Sequence, residues 1–382
     1  MKKVGITTLY HKTINYGGAL QAYALQKKIE EFGCECTVID CYSTAGKNKY
    51  ERFKALGLKR SIQVFGMKTV YKVGIKLDQK MRDGMNERHK LFSEFLNDIP
   101  HTEPVDIKNI YDLQDKFDIC VTGSDQVWHP GIWNDAYLLR FARKKVSYAA
   151  SVGATEFTND QAEELSEALR EYSAISVREK GAVQLIQNLT SVKIQKVLDP
   201  TLLYTAQDWE KLVCPVKVTK PYVFMYAIDN HPAFRRAVYK YCQSRKIELI
   251  TIPFNQSHFK ISDIRYTDKP LYAVGPRQWL WLIKNAEMVF TDSFHGSAFC
   301  LQFKKDFWSF EAPCDEGTAP DTKRIFSLLS EFGLEDRIVD FDDFPEMDSI
   351  EKRIDYWDVG VKLNELRKES QDFLMRAFPR RG

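Results

Sequence analysis

The chain has 382 residues, of which 44% are hydrophobic and 28% are charged, and 55 basic against 52 acidic residues leave a net charge of +3. These values are typical of a globular protein and exclude a disordered or fibrous chain. The nearly balanced charge argues against a protein that binds nucleic acid through a basic surface. The sequence has neither an apolar run of the about 18 residues that a membrane helix needs nor the apolar core of a secretory signal. We therefore expect a cytoplasmic protein of two domains, at about 150 residues per domain.

Strand and helix patterns alternate through the first half of the chain. An apolar, β-branched run at 4–9 predicts a buried parallel strand, and helical spacing over 19–32 predicts the helix that follows. Similar pairs of patterns recur as far as the strand predicted at 194–198. A parallel sheet covered on both faces accounts for this alternation, so we predict a Rossmann-like domain over residues 1–205.

Residues 47–100 are predicted to be a basic helical insertion in this domain. Between residues 47 and 90, thirteen Lys or Arg stand against four Asp or Glu. Two interpretations stay open for this excess. The helices could present an ordinary solvated face, or they could attract an anionic acceptor or the inner face of a membrane.

A second alternating unit predicts a second Rossmann-like domain over residues 215–345. Its clearest strands are predicted at 288–291 and 307–310, with a helix at 296–303 between them. A final helix, within residues 346–382, has no strand after it and is predicted to pack back on the first domain. The predicted fold class is therefore α/β, with two doubly wound domains facing a cleft in which ligands bind outside the carboxyl ends of the strands.

The eight cysteines include no CxxC pair and no group at the spacing of a zinc site. Because no secretory signal is recognised, we expect reduced thiols packed in the core. The sequence also lacks a metal-spaced cluster of carboxylates, so we predict no metal site.

The segment Thr291-Asp292-Ser293-Phe294-His295-Gly296-Ser297 joins a predicted strand end to a predicted helix start. Asp292 or Ser293 can cap the helix, and the N–H groups of the first turn, around Gly296, can bind an anion. His295 can donate or accept a proton near neutral pH. The alternative is a histidine that only packs against the helix.

Three cations occupy comparable places at helix starts. Arg178 follows a predicted strand and can bind a carboxylate or phosphate with two hydrogen bonds, or it can simply pair with Glu179. Lys323 and Arg324 begin a predicted helix in the second domain, where they can add positive charge to the cleft or serve as ordinary solvated residues.

The loop Gly123-Ser124-Asp125-Gln126-Val127-Trp128 also follows a predicted strand. Asp125 can orient or deprotonate a hydroxyl, and Trp128 can stack on a sugar ring. The alternatives are a local turn at Asp125 and core packing of Trp128.

The segment Asn15-Tyr16-Gly17-Gly18 lies where phosphate loops occur, after the first predicted strand. We include Asn15, Gly17 and Gly18 among the candidate binding residues. The segment lacks GxGxxG and GxxxxGK[ST], so it is a weak nucleotide signature.

Taken in order, six segments resemble the polysaccharide pyruvyl transferase family. They are Asn15-Tyr16-Gly17-Gly18-Ala19-Leu20-Gln21, Gly123-Ser124-Asp125-Gln126-Val127-Trp128, Ser147-Tyr148-Ala149-Ala150-Ser151, Ser176-Val177-Arg178-Glu179, Leu198-Asp199-Pro200-Thr201 and Thr291-Asp292-Ser293-Phe294-His295-Gly296. The resemblance extends over about residues 1–335. It implies a fold similar to GT-B and the transfer of a pyruvyl group from phosphoenolpyruvate to sugar hydroxyls of a polysaccharide or its precursor, which forms a ketal.

The resemblance also implies roles for single residues. His295 matches the family's catalytic histidine, and Arg178 matches an arginine expected to bind the anionic donor. Many members have Arg-Leu-His where this chain has Ser293-Phe294-His295, so a cation is missing here; Lys323 or Arg324 is a candidate to replace it. No cofactor is implied besides the donor substrate, and the acceptor is a sugar or oligosaccharide, lipid-linked or free. Two other functions stay open: a GT-B glycosyltransferase that uses a nucleotide sugar, and a non-catalytic glycan-binding protein.

Overall fold

The computed structural model describes residues 1–43, 78–218, 221–229, 231–254, 261–311, 323–341 and 343–378. The described strands are β1 (Lys2–Thr7), β2 (Cys34–Val38), β3 (Cys41–Tyr42), β4 (Val105–Asp106), β5 (Ile119–Gly123), β6 (Lys145–Ala150), β7 (Tyr172–Val177), β8 (Ile194–Lys196), β9 (Tyr222–Tyr226), β10 (Glu248–Thr251), β11 (Lys269–Pro270), β12 (Met288–Thr291), β13 (Phe307–Phe310) and β14 (Ile338–Val339). The described α-helices are α1 (Tyr16–Glu30), α2 (Gln79–Asn97), α3 (Asn159–Leu169), α4 (Lys180–Gln187), α5 (Pro200–Leu203), α6 (Ala206–Glu210), α7 (Pro232–Arg245), α8 (Ile261–Arg265), α9 (Pro276–Asn285), α10 (Phe294–Gln302), α11 (Arg324–Leu329), α12 (Met347–Ile350) and α13 (Tyr356–Ala377).

Two six-stranded parallel sheets form the framework of the protein. The first has the strand order β2-β1-β5-β6-β7-β8, and the second has the order β11-β10-β9-β12-β13-β14. In each sheet the chain starts near the middle, builds outward in one direction and then returns to build in the other. The order reverses between β1 and β5 in the first sheet and between β9 and β12 in the second. This is the doubly wound topology of Rossmann-like domains.

The strands form because their apolar residues are buried on both faces of each sheet. All residues of β5, β6, β9, β12 and β13 are buried. The predicted strands at 288–291 and 307–310 agree with β12 and β13. The short strands β3, β4, β11 and β14 were not predicted, because two residues show no periodicity. The predicted fold class, two Rossmann-like domains facing a cleft, is confirmed.

Helix α2 ties the predicted insertion to the second domain. The guanidinium of Arg88 is 1% exposed and donates hydrogen bonds to the carbonyl oxygens of Tyr272 (2.7 Å), Pro253 (2.9 Å) and Leu271 (3.2 Å). A planar guanidinium can satisfy several carbonyls at once, which a lysine cannot. The remainder of the predicted insertion, from residue 47 to 77, lies outside the described residues.

Helix α13 packs against the first domain. Its Ser370 Oγ accepts a hydrogen bond from the backbone N–H of Leu198 (2.9 Å), and Arg367 Nε donates to the carbonyl oxygen of Leu202 (2.7 Å). Both partners flank Asp199, so the last helix supports the segment that carries this carboxylate.

Two further features concern the interior and the surface. The described cysteines are all free thiols, and all except Cys214 are buried, as expected; Cys314 lies outside the described residues. Among the described helices, none combines the length and the apolar composition needed to cross a membrane.

Candidate active site

The candidate site lies where the strand order reverses in both sheets. Gly17 and Ser124 follow β1 and β5 in the first sheet, and His295 follows β12 in the second. Parallel strands end at one edge of a sheet, so their following loops meet there. The two edges face each other, and the residues after the strands come into direct contact.

Asp199 is the centre of a buried polar cluster. The residue is 1% exposed. Its carboxylate oxygen Oδ2 accepts hydrogen bonds from Ser124 Oγ (2.6 Å) and from a terminal nitrogen of Arg178 (3.0 Å). His295 Nε2 lies 3.6 Å from the same oxygen. We call Ser124, Arg178, Glu179, Asp199 and His295 the Asp199 cluster.

Local sequence explains why Asp199 can hold these groups. It is the N-cap of α5, where Pro200 occupies the first turn and Oδ1 accepts from both the backbone N–H (2.9 Å) and the hydroxyl (2.7 Å) of Thr201. One carboxylate oxygen therefore secures the helix start, and the other is directed to the cluster. Burial raises the pKa of Asp199, but His295, Arg178 and Ser124 outweigh this effect and hold the pKa well below its usual range.

Arg178 is enclosed by acceptors and an aromatic ring. Its Nε donates to Glu179 Oε1 at 3.0 Å, and its guanidinium carbon lies 4.0 Å from the ring centre of Phe294. Burial alone lowers the pKa of Arg178, but the carboxylates of Glu179 and Asp199 more than offset this, so the net shift is upward and the side chain stays charged. One terminal nitrogen, Nη2, is buried without a hydrogen-bond partner among the described residues. It is therefore available to an anion.

His295 is fixed by a contact with Gly17 across the two domains. A Cβ atom placed on Gly17 would lie 2.0 Å from Nδ1 and 2.2 Å from Cγ of the imidazole. Only glycine leaves room for this ring at the start of α1. The histidine is 5% exposed, and its Nε2 has no hydrogen-bond partner within the described part of the chain.

The first turn of α10 orients His295. Ser293 is the N-cap, and its hydroxyl accepts from the backbone N–H of Gly296 at 3.3 Å. Gly296 packs on Thr291, since a Cβ at this position would lie 2.3 Å from the threonine Oγ1. The predicted helix at 296–303 thus starts two residues earlier, at Phe294, and includes the histidine in its first turn.

A cleft of about 420 Å³ lies between the two sheets, next to the Asp199 cluster. Gln126 and Gly153 border it on the first domain, and Phe294, Lys323 and Arg324 border it on the second. Phe294 also borders a much smaller cavity together with Arg178 and Asp199. Arg324 borders both spaces as well, so Phe294 and Arg324 lie between the cleft and the cluster.

Two carboxyl groups in the cleft have unusual acidity. Burial raises the pKa of Asp292 to about 6, although its oxygens accept from the backbone N–H groups of Ile228 (2.6 Å) and Asp229 (2.8 Å). Burial also raises the pKa of Glu311, which accepts from two N–H groups at the start of α11. Both groups line the cleft, as Lys323 and Arg324 do, so it contains acids as well as cations.

The structure brings together some of the predicted site residues and separates others. Arg178, His295 and Gly17 meet, and Lys323 and Arg324 line the cleft, as described above. Asp125 is 5% exposed, and its Oδ1 accepts a hydrogen bond from the backbone N–H of Gln126 at 3.0 Å. This contact is the local turn expected as the alternative role of Asp125. Its role as a base stays a prediction.

Trp128, Asn15 and Gly18 do not face the cleft. Trp128 is 0% exposed and packs edge-on against Tyr172, so a sugar cannot stack on it, and that prediction needs correction. The apolar bulk of an indole is stabilised in the core of the first domain. Asn15 caps α1 by accepting from the N–H of Gly18 at 3.2 Å, which makes this segment a helix start.

Sequence reasoning missed the central role of Asp199 and its partner Ser124. An Asp-Pro-Thr sequence directly after a strand is the signal that could have identified the first. No pattern identified Ser124, whose hydroxyl is brought to Asp199 from 75 positions away. Within the described residues, no group of three or more His, Cys, Asp or Glu side chains could hold a metal ion.

A family model described as "Polysaccharide pyruvyl transferase" matches residues 15–311, which is 297 of the 382 residues. The matched region includes the whole Asp199 cluster and ends before Lys323. No curated protein sequence matches the chain at the level required of a relative.

Several solved structures are similar in overall shape. They include UDP-GlcNAc 2-epimerase from Methanocaldococcus jannaschii (TM-score 0.48, 12% identity, 96% of this chain and 91% of that chain). A S. aureus MnaA–UDP co-structure has a TM-score of 0.49, 11% identity and coverages of 88% and 89%. E. coli ADP-heptose lps heptosyltransferase II has a TM-score of 0.37, 9% identity and coverages of 97% and 99%. We transfer neither activity nor substrate from these proteins.

Proposed function

The chain belongs to the polysaccharide pyruvyl transferase family and is a transferase, and from this membership we propose that it moves a pyruvyl group from phosphoenolpyruvate to two hydroxyls of a saccharide, forming a ketal. The observation that carries the proposal is the meeting of His295 and Arg178 on Asp199, next to a cleft bordered by two cations. The donor carries a carboxylate and a phosphate, and both need cationic partners.

Cations from both domains bind the donor in this proposal. Lys323 and Arg324, which line the cleft, attract its phosphate and replace the cation that is missing at Ser293. The unpaired Nη2 of Arg178 takes one oxygen of the donor's carboxylate. Because Phe294 lies between the cleft and Arg178, its ring has to move aside when the donor binds.

His295 handles the proton in the proposed reaction. One sugar hydroxyl adds to the phosphate-bearing carbon of the enol while the methylene carbon gains a proton and becomes a methyl group. The second hydroxyl then displaces phosphate, which leaves with the proton of that hydroxyl. His295 Nε2 delivers the proton to the methylene carbon and then takes up the proton of the first hydroxyl, so the imidazole ends this step protonated again. Asp199 stabilises the charged imidazole in a site shielded from water.

The acceptor class and the cellular location are parts of the same proposal. A sugar or oligosaccharide acceptor follows from the family, and a lipid-linked acceptor would bring the protein to the inner face of the membrane. The basic excess between residues 47 and 90 supports that association. Vesicle co-sedimentation with anionic lipid, which we expect to be lost at high salt, tests it.

The proposed reaction is tested by incubating the protein with phosphoenolpyruvate and a panel of sugars. We expect sugar-dependent phosphate release and a matching gain of mass on one sugar. His295→Gln, which keeps the size of the side chain, should lose at least 100-fold in rate while its melting temperature shows that it folds.

A second donor arm separates the alternatives. Parallel reactions with nucleoside-diphosphate sugars should release no nucleoside diphosphate. The proposal would be overturned if a sugar acceptor caused release of nucleoside diphosphate while no phosphate was released from phosphoenolpyruvate. So would full ketal formation by His295→Gln.

A further inference from the structure

A second pocket, of about 280 Å³, lies at the carboxyl ends of β1 and β2 in the first domain. The loop after β1 forms one wall, the end of α2 forms another, and the segment before β4 closes it. We call it the His101 pocket; the residues that matter are Tyr10, Lys12, Asp40, Phe92, Asn97 and His101. None of them belongs to the Asp199 cluster or to the cleft.

Asp40 is the most informative group in this pocket. The residue is only 8% exposed, and its Oδ1 pairs with His11 Nδ1 at 2.8 Å. Its other carboxylate oxygen, Oδ2, has no hydrogen-bond partner among the described residues. This oxygen is not fully enclosed by protein atoms, so it can accept a hydrogen bond from a ligand that enters the pocket.

His101 presents a second acceptor. Its Nδ1 lies 2.7 Å from the carbonyl oxygen of Ile99, which can only accept, so Nδ1 carries the proton. In the neutral ring, Nε2 is then an acceptor. The floor between these polar groups is apolar, because Tyr10 and Phe92 are 3% and 1% exposed.

We propose that the His101 pocket binds a neutral saccharide. Sugar hydroxyl groups can donate to Asp40 Oδ2 and to His101 Nε2, and the apolar floor fits the C–H face of a sugar ring. An anion fits less well, because the carboxylate of Asp40 lines the pocket and repels it. The donor set does not fit a metal ion, since the described residues contain no group of three or more ligands able to hold one.

The position of the pocket links it to the proposed function. Ile14 lies in its wall and is three residues before Gly17, so their Cα atoms are at most about 11 Å apart. Gly17 in turn contacts His295. This part of the inference rests on the proposed function: the saccharide in the His101 pocket is the acceptor, and the first domain alone holds it near the reacting groups.

Saturation-transfer NMR on the full chain, without any donor, tests this inference directly. The probes are methyl glycosides of galactose, glucose and mannose, with glucuronic acid, glucose 1-phosphate and inorganic phosphate as anionic counterparts. We expect at least one methyl glycoside to bind more tightly than the anions. Asp40→Asn, and independently Asn97→Ala at the exposed end of α2, should weaken it by 10-fold or more.

Asp118→Asn is the matched control, because this carboxylate lies at the opposite edge of the same sheet, where it accepts from the N–H of Lys3 at 2.8 Å. Glycoside binding should be unchanged in it. Unchanged binding in both pocket variants, tighter binding of the anions, or no binding of any glycoside to the wild-type chain would overturn the inference. Glycoside binding without ketal formation would instead contradict the proposed function alone.

Discussion

Replacing Gly17 by alanine should break the contact that fixes His295. The added Cβ would lie 2.0 Å, 2.2 Å and 2.7 Å from Nδ1, Cγ and Cβ of the histidine, all far inside van der Waals contact. These atoms lie close to the backbone of α10, so the imidazole cannot swing away as a flexible tip would. Either the ring leaves its rotamer or α1 and α10 move apart.

Gly18, next in the chain, is the control position against which the loss of stability in Gly17→Ala can be measured. A Cβ on Gly18 would meet its nearest atom, the carbonyl oxygen of Leu9, at an ordinary 3.5 Å. Both glycines lie in the first turn of α1, so both substitutions gain a similar benefit in helix propensity. Overpacking in a core costs about 1–3 kcal/mol. We expect Gly17→Ala to be less stable than Gly18→Ala by about that amount.

Urea unfolding of the two variants and of the wild type measures the difference, and the proposed ketal assay measures activity. Gly17→Ala should lose at least 10-fold in activity and Gly18→Ala should keep it. Combining Gly17→Ala with His295→Ala should recover part of the lost stability, since the clashing ring is gone. Equal stability of the two alanine variants, or no recovery in the double variant, would refute the assigned contact.

Three further predictions concern charge. Asp199→Asn should lower the free energy of unfolding in urea by about 3–5 kcal/mol, because Arg178 loses a buried partner. In the wild type the pKa of Asp199 is depressed in the folded state, so this stabilisation is lost only as the pH falls below about 4. The pKa of Asp292 is raised to about 6, so the wild type should gain stability relative to Asp292→Asn as the pH falls from 7 to 4. Melting curves of both proteins at both pH values check this sign. A difference in melting temperature that stays the same at pH 7 and pH 4 would contradict it. Arg324→Ala should raise the KM for phosphoenolpyruvate about 10-fold, because one ion pair with the donor is lost. The control Arg143→Ala, at the opposite edge of the first sheet, should leave the KM unchanged. Equal KM values for Arg324→Ala and the wild type would exclude a role of Arg324 in donor binding.

Much of the fold could be predicted because its elements are encoded locally. Strand β12 is a run of apolar and β-branched residues with a polar segment after it, and it occupies the predicted positions 288–291. The start of α10 could be placed to within two residues, because Ser293 is a typical capping residue. Arg178 and His295 could be proposed for the same reason. Arg178 directly follows β7, His295 lies four residues after β12, and strands in parallel sheets end at one edge.

The sequence by itself thus determined the two sheets, their order along the chain and the kinds of residue at their edges. Only the tertiary structure decided which of those residues meet. Gly17 and His295 are 278 positions apart and belong to different domains, so no local pattern connects them. The same holds for Trp128, whose burial depends on what packs around it. Charge balance gave no sign of the Asp199 cluster, because opposite charges that pair in a buried site cancel in the net charge of +3.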